Sequence, residues 1–359
     1  MARHILAATA ILGFLTLISC SKLKNTTPTA SEERLYIGSQ ACRTCHSSIY
    51  SDFVNTGHAH SLNRVMAGTA PVYPDSVPAL ADPPFGYTWS DVTYVIGGFG
   101  WKADFIDSQG YIVTGDAAQW NLETAEWAAF DSSTAPGTRA FDCGACHTTG
   151  YDSRNPDNLP GIVGSWAENG VGCERCHGPG SQHALNPRDH RMQVDDTAQL
   201  CGECHHRSGD HRILAYGDLL QNYQQYDELL SAGHGNLRCV TCHNPHRSAK
   251  YDAGNAIISA CTDCHTITVT HDGPHDCINC HMPKSVESAV SSGNGIHLRG
   301  DMRSHIFRIN PDINEDQFYV DGSNQYSNGF NGLNFACLSS CHQSGSLSWA
   351  AQNAPGIHQ

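Results

Sequence analysis

The sequence predicts short α-helices and irregular loops wrapped around bulky attached groups, with one small antiparallel β segment near residues 87–114. Three observations predict it. Leu, Ile, Val and Phe make up only about 19% of the 359 residues, too little aliphatic volume for an ordinary core of that length. Such poverty usually accompanies disorder at high charge, yet charged residues are 16% here, and 6 Trp, 13 Tyr and 11 Phe argue for packing. Cysteine and histidine are abundant instead, at 17 and 22. The formal charge of −14, with no Lys/Arg block, argues against a nucleic-acid partner.

The N-terminus reads as an export signal. Arg3 gives a basic start, Ile5 to Leu17 form a short apolar stretch and Ser19 precedes Cys20, so residues 1–19 suit cleavage and are too short to span a bilayer comfortably. Leu17-Ile18-Ser19-Cys20 resembles a bacterial lipobox, whose cysteine is acylated; the alternative is an ordinary secretory signal in which Cys20 is incidental. With Ser21 next, the lipobox resemblance implies an outer membrane lipoprotein facing the periplasm or cell surface, held by its lipid anchor. Residues 20–34 are polar and read as the lipidated tether.

The other sixteen cysteines fall into eight close pairs, each followed at once by His. Seven are C-x-x-C-H: Cys42/Cys45/His46, Cys143/Cys146/His147, Cys173/Cys176/His177, Cys201/Cys204/His205, Cys239/Cys242/His243, Cys261/Cys264/His265 and Cys277/Cys280/His281. The eighth, Cys337/Cys341/His342, has three intervening residues. This is the attachment signature of c-type haem and predicts eight covalent haem c groups. The chemistry requires the spacing: two thiols a short turn apart add to the vinyl groups of one haem, and the next residue lies under the ring, where its imidazole is the proximal iron ligand. Zinc ribbons also use C-x-x-C pairs but give no reason for a His after every second Cys. Disulfides suit an exported chain, yet only the wider eighth pair invites a local bridge that would leave His342 free.

Fourteen histidines lie outside the motifs, and His4 belongs to the signal, so thirteen remain for eight distal positions. Methionine competes only through Met66, Met192, Met282 and Met302, so bis-His ligation should dominate, which favours lower potentials than His/Met. The candidate distal ligands are His58, His183, His234, His246, His271, His275, His297 and His305. His183 follows a Gly-Pro-Gly turn and His246 an Asn-Pro, His234 and His297 lie beside glycines, and His271 and His275 bracket a Gly-Pro. A His in such a loop is otherwise solvated or bonded to a haem propionate, and His60, His190, His206 and His211 are substitutes.

About 100 residues separate motifs 1 and 2, and they hold the most conventional sequence. Val92-Thr93-Tyr94-Val95-Ile96 and Tyr111-Ile112-Val113 are β-branched and aromatic, with Gly97-Gly98 and Ser108-Gln109-Gly110 as turn signals, so a β-rich insertion occupies about 63–140. Trp89, Trp101, Trp120 and Trp127 read as packing aromatics rather than electron relays. Leu219, Leu220, Tyr223, Tyr226, Leu229 and Leu230 repeat at helical spacing, with Asp218 as N-cap and Gly233 as stop. They predict one amphipathic helix at 219–232 that delivers His234. The mature chain divides into 35–210 with haems 1–4 and 211–359 with haems 5–8.

Tyr36-Ile37-Gly38-Ser39-Gln40-Ala41-Cys42 through His46, Ile49-Tyr50 and His58-Ala59-His60 resemble the opening of multihaem cytochromes related to cytochrome c-554. Cys143 to Gly150, Gly172 to His183 and Cys201 to His205 are similar to later parts of the same pattern, which covers about 35–210. Residues 234–310 resemble multihaem c-type cytochromes more generally. The resemblance implies short helices and loops around closely packed haem pairs, electron transfer outside the cytoplasm, and a distal role for His183. Eight motifs, the inserted strands and the C-x-x-x-C-H motif depart from the c-554 pattern.

Three functions compete. The leading one is an electron conduit linking periplasmic or outer membrane partners to other cytochromes or an extracellular acceptor. The second is a haem enzyme that reduces nitrogen or sulfur oxyanions or oxidises hydroxylamine at a five-coordinate haem; no motif ends in Lys, which weighs against it. The third is a subunit of a polymeric cytochrome filament, self-assembled through spare His. Cys42→Ala should lower the haem count by one, read by intact mass and haem quantification; a normal count would show that motif 1 does not attach haem.

Overall fold

The β-branched and aromatic runs between motifs 1 and 2 form one antiparallel sheet of five strands: β1 (Leu62–Arg64), β2 (Val92–Gly97), β3 (Lys102–Asp107), β4 (Gly115–Asn121) and β5 (Glu126–Phe130), each paired with the next. The computed structural model describes residues 34–155, 158–271 and 276–358; the export signal, Cys20, the tether to residue 33 and His275 lie outside them. The β2–β3 turn needs Gly97, whose φ is 71° and whose added Cβ would lie 2.8 Å from the Lys102 carbonyl oxygen. Alternation sorts the strands onto two buried faces. Phe105 packs with Val92, Val95 and Val113 under Trp89, Trp120 and Trp127, while its neighbour Ile106 packs with Leu62, Tyr94 and Phe141 on the other side. The sheet is therefore larger than the predicted 87–114 segment and lies inside the predicted insertion.

A second five-stranded sheet was not foreseen in the sequence. Leu214–Tyr216 and Leu219–Gln221 form a hairpin, joined by Val286–Glu287 on one side and by the Phe318–Asp321 and Asn324–Ser327 hairpin on the other. This corrects the helix predicted at 219–232. Gly217 and Asp218 both have left-handed backbones, at φ 58° and 63°, and make the two-residue turn that matches strand twist. Asp218 is therefore a turn residue, not an N-cap, and Leu219 and Leu220 are buried as strand residues. The helix is confined to Gln225–Ser231 and stops before Gly233, whose φ is 77°. Gln224, fully buried, straps helix to hairpin: its side chain accepts from the Leu214 amide at 2.8 Å and donates to the Leu214 and Gln221 carbonyls.

The described residues form one compact unit, and its contacts cross the 210/211 boundary. Arg247 pairs with Asp52 at 2.8 Å, and Tyr251 donates to the Phe99 carbonyl at 3.0 Å. Among the described residues no helix is long and apolar enough to cross a membrane.

A buried carboxylate fixes the chain start onto motif 3. Glu174 accepts from the Ile37 amide at 3.0 Å, the Gly38 amide at 2.7 Å and the Gly180 amide at 2.6 Å. Hydrogen bonds to a charged group contribute about 1.5–3 kcal/mol each, and buried amides left without an acceptor cost more than exposed ones. Glu174→Ala should destabilise the protein by about 3 kcal/mol or more, measured by denaturant unfolding followed by far-UV circular dichroism. Glu174→Gln, which keeps one acceptor oxygen, should lose less.

Candidate functional site

Each C-x-x-C-H segment is a single tight turn. The His amide bonds back to the carbonyl of the first Cys, at 2.9 Å in motif 1, 3.2 Å in motif 2, 2.9 Å in motif 4, 3.0 Å in motif 5 and 2.9 Å in motif 6. Motif 8 keeps the same closure despite its extra residue. Asn334–Leu338 is a π-turn, and the His342 amide reaches the Cys337 carbonyl at 3.0 Å. All sixteen motif cysteines are free thiols, so the local disulfide considered for Cys337 and Cys341 is not formed.

The proximal candidates do not stand alone. His46 faces His183 with ring centroids 6.2 Å apart, His205 faces His58 at 6.3 Å, His177 faces His246 at 6.3 Å and His243 faces His305 at 6.1 Å. His265 faces His234 at 5.9 Å, His342 faces His271 at 5.7 Å and His281 faces His358 at 5.5 Å. Six of the eight candidate distal residues thus lie opposite a motif imidazole. Among the described residues no imidazole pairs with His147.

Hydrogen bonds orient the rings. The Nδ1 of His147 donates to the Ser61 carbonyl at 2.9 Å, that of His183 to the His190 carbonyl at 2.9 Å, that of His205 to Gln225 Oε1 at 3.0 Å and that of His281 to the Phe307 carbonyl at 2.8 Å. The His58 ring bonds to the Pro245 carbonyl. With Nδ1 so engaged, Nε2 keeps its lone pair for a metal. His281 and His358 present their Nε2 atoms to each other at 3.3 Å. Burial disfavours the imidazolium and, with the neighbouring His205, pushes His58 down to about 4; burial and the nearby His243 push His305 down to about 3. His147, His177, His205, His243 and His246 move the same way, chiefly through burial, so these rings stay neutral and able to ligate.

Two sequence expectations for the distal set differ from this geometry. His297 does not face a motif imidazole: the Gly295–His297 turn lies beside the Asn334–Leu338 turn, and its Nδ1 sits 3.5 Å from the Leu338 carbonyl. The ring opposite His281 is His358, which was not foreseen. The chain end carries it there, because the Thr270 amide bonds to the Ile357 carbonyl at 2.9 Å and His358 bridges to Val269. Its signal was the preceding Gly356, the same small-residue cue as at His183 and His234. Of the substitutes, His60 commits both ring nitrogens, to Asn63 and Val54, and stacks on Phe99 at 5.4 Å. His190 supplies only its carbonyl to His183. His206 and His211 lie 6.3 Å apart, and His211 donates to the buried Asp227 at 2.8 Å.

The thiols trace the order of the motifs in space. Cys42 lies beside Cys173, Cys176 near Cys204, Cys201 beside Cys239 and Cys242 near Cys264. Cys261 lies beside Cys277, and Cys280 near Cys337 and Cys341. These contacts join motifs 1, 3, 4, 5, 6, 7 and 8 in one line. Motif 2 attaches from the side, through Cys146 against Cys204.

The two tethers of motif 1 are not equivalent, as the sequence pattern had treated them. Cys42 is partly enclosed against motif 3, whereas Cys45, the expected second tether, is exposed and takes no part in the line of thiols. Motif 1 ends the line, and Cys45 has no further motif to pack against. Attachment of the first haem through Cys45 thus stands on the C-x-x-C-H spacing rather than on any enclosure of its thiol.

Paired cysteines beside facing imidazoles fit covalently held porphyrin iron: the thiols would supply the tethers and the imidazoles the iron ligands. The comparisons agree. Residues 116–178 match the family model of cytochrome c554 and c-prime. The fold is similar to the crystal structure of the outer cell wall cytochrome OcwA, with a TM-score of 0.53 and 19% identity over 88% of this chain and 86% of that one. It is also similar to the octaheme sulfite reductase MccA of Wolinella succinogenes, with a TM-score of 0.60 and 18% identity over 85% of this chain and 65% of that one. A search of curated proteins finds no match. The motifs, the match over residues 116–178 and the fold are together similar to those of multihaem c-type cytochromes.

Proposed function

We propose that the chain is an eight-haem electron-transfer protein of the cell envelope in which one haem sits off the main line with an open axial position. The observation that carries this reading is the set of seven facing imidazole pairs, each uniting a motif His with a His from elsewhere in the chain. When bound, haem supplies one-electron chemistry, and close rings pass electrons between them. The protein's part is to hold the thiols in line, keep the imidazoles neutral and exclude water from them. Motifs 1, 3, 4, 5, 6, 7 and 8 suit the conduit, with other cytochromes or redox proteins at its ends and an extracellular acceptor beyond.

Motif 2 favours a second activity. His147 is held by Ser61 as a ligand should be, yet nothing imidazole-bearing faces it among the described residues, and its thiols touch only motif 4. A relay position needs two neighbours; a side branch with a free coordination position suits binding of a small exogenous ligand. Reduction of nitrogen or sulfur oxyanions, or oxidation of hydroxylamine, is the class of chemistry in question, and MccA, similar in fold, is a sulfite reductase. The filament reading weakens, because seven motifs find their second imidazole within the same chain. Acylation of Cys20 would hold the protein at the outer membrane by a tether ending at residue 34.

Electron paramagnetic resonance of the oxidised protein should show seven low-spin haems and one high-spin haem, the latter converted by one equivalent of cyanide or perturbed by nitrite. A wholly low-spin spectrum would leave the conduit and remove the open position. His358→Ala should add a second high-spin haem at an unchanged haem count, while His297→Ala should leave the ratio as it is.

A further inference from the structure

Three cations converge on a small cavity where motifs 7 and 8 meet. Lys284, Arg299 and Arg303 line about 130 Å³ together with Asn279 of motif 7 and Ser340 and Cys341 of motif 8. The backbone forces them together. The Gly300 amide donates to the Lys284 carbonyl at 2.8 Å, the Ser304 amide to the Pro283 carbonyl at 3.1 Å, and Val286 bridges to Met302. Only glycine permits this approach, since a Cβ at residue 300 would lie 2.0 Å from the Val286 carbonyl oxygen. Arg303 is fixed in turn on motif 7, donating to the Ile278 carbonyl at 2.8 Å, the Met282 carbonyl at 2.9 Å and Asn279 Oδ1 at 3.0 Å.

Like charges held side by side repel unless a counter-charge joins them. Among the described residues none of the three forms an ion pair, and the acids nearest in influence are committed elsewhere. Asp301 accepts from the amides of Ser288, Ala289 and Val290, Glu123 pairs with Lys250, and Asp276 caps the Cys277–His281 helix. Burial and the neighbouring Arg299 push the Lys284 amine below its ordinary range, as an unpaired cation in a cationic setting requires.

We propose that this cavity is a binding site for a small inorganic oxyanion of the sulfate or phosphate class. The volume suits one such ion, and the donors surround it: the guanidinium of Arg299, the amine of Lys284 and the side of the anchored Arg303. The site lies at motif 8, the end of the line, apart from His147, and does not depend on catalysis at motif 2.

The test is calorimetric titration of the intact haem-loaded protein with sodium sulfate, and separately with phosphate, at ionic strength held constant with chloride. One equivalent should bind to the wild type. Arg299→Gln and Lys284→Met, each with an unchanged haem count, should weaken binding at least tenfold. No binding to the wild type, as when a propionate or an acidic side chain already fills the cavity, overturns the proposal; so does equal binding by wild type and both variants.

Discussion

The constraint on which the structure depends is the need to bring two imidazoles face to face from distant parts of the chain. His46 meets His183, His205 meets His58 and His177 meets His246, so each pairing closes a loop of more than sixty residues. Loop closure of that length costs conformational entropy, and the scarce aliphatic side chains supply little to offset it. Covalent porphyrins fit that role, since each is a large apolar body placed where several segments meet. This explains why the unit does not divide near residue 210, where the sequence changes character: the His177–His246 pair and the Cys201–Cys239 contact both cross it.

One short helix shows how tightly this is organised. In Gln225–Ser231, four successive residues tie the helix to the 205–211 segment and to His305. Gln225 orients the His205 ring, and the Tyr226 amide donates to the His205 carbonyl at 3.0 Å. Asp227 accepts from the Arg207 amide at 3.1 Å and from His211, and Glu228 accepts from the His305 amide. Successive residues on a helix point about 100° apart, so one turn reaches groups on several sides. Burial raises Glu228 to about 8, and it is satisfied by an amide rather than a cation. The helix could not do this had it begun at residue 219, because its first turn would then occupy the space of the Leu219–Gln221 strand.

Legibility in the sequence followed chemistry more than secondary structure. The tethering positions are contiguous and were readable outright, although the unequal settings of Cys42 and Cys45 were not, because spacing says nothing of what packs against each thiol. The extra residue in motif 8 is absorbed by a π-turn that no spacing rule foretold. The distal imidazoles were partly readable from glycine and proline beside them, which turn a ring away from its own segment. His358 had the same cue, but nothing local said that the chain terminus returns to residues 269–270. The first sheet announced itself through Val92 to Ile96. The second did not, because its strands are two to four residues long and draw their pairing from segments a hundred residues apart. At Leu219 and Leu220 a helical repeat outweighed the Gly217-Asp218 turn signal, although two adjacent residues tolerant of left-handed backbone are the more specific evidence.

Motif 2 differs from the other seven motifs in two features of the described residues. Among the described residues its thiols meet those of motif 4 alone, from the side of the line. Its histidine is oriented by a Ser61 carbonyl whose residue also donates its hydroxyl to the His147 carbonyl at 3.1 Å. Of the thirteen non-motif histidines in the mature chain seven face a motif imidazole, and none of the other described ones faces His147. These two features, a side position in the line of thiols and an oriented imidazole with no described imidazole opposite it, are what the proposed open position at motif 2 rests on.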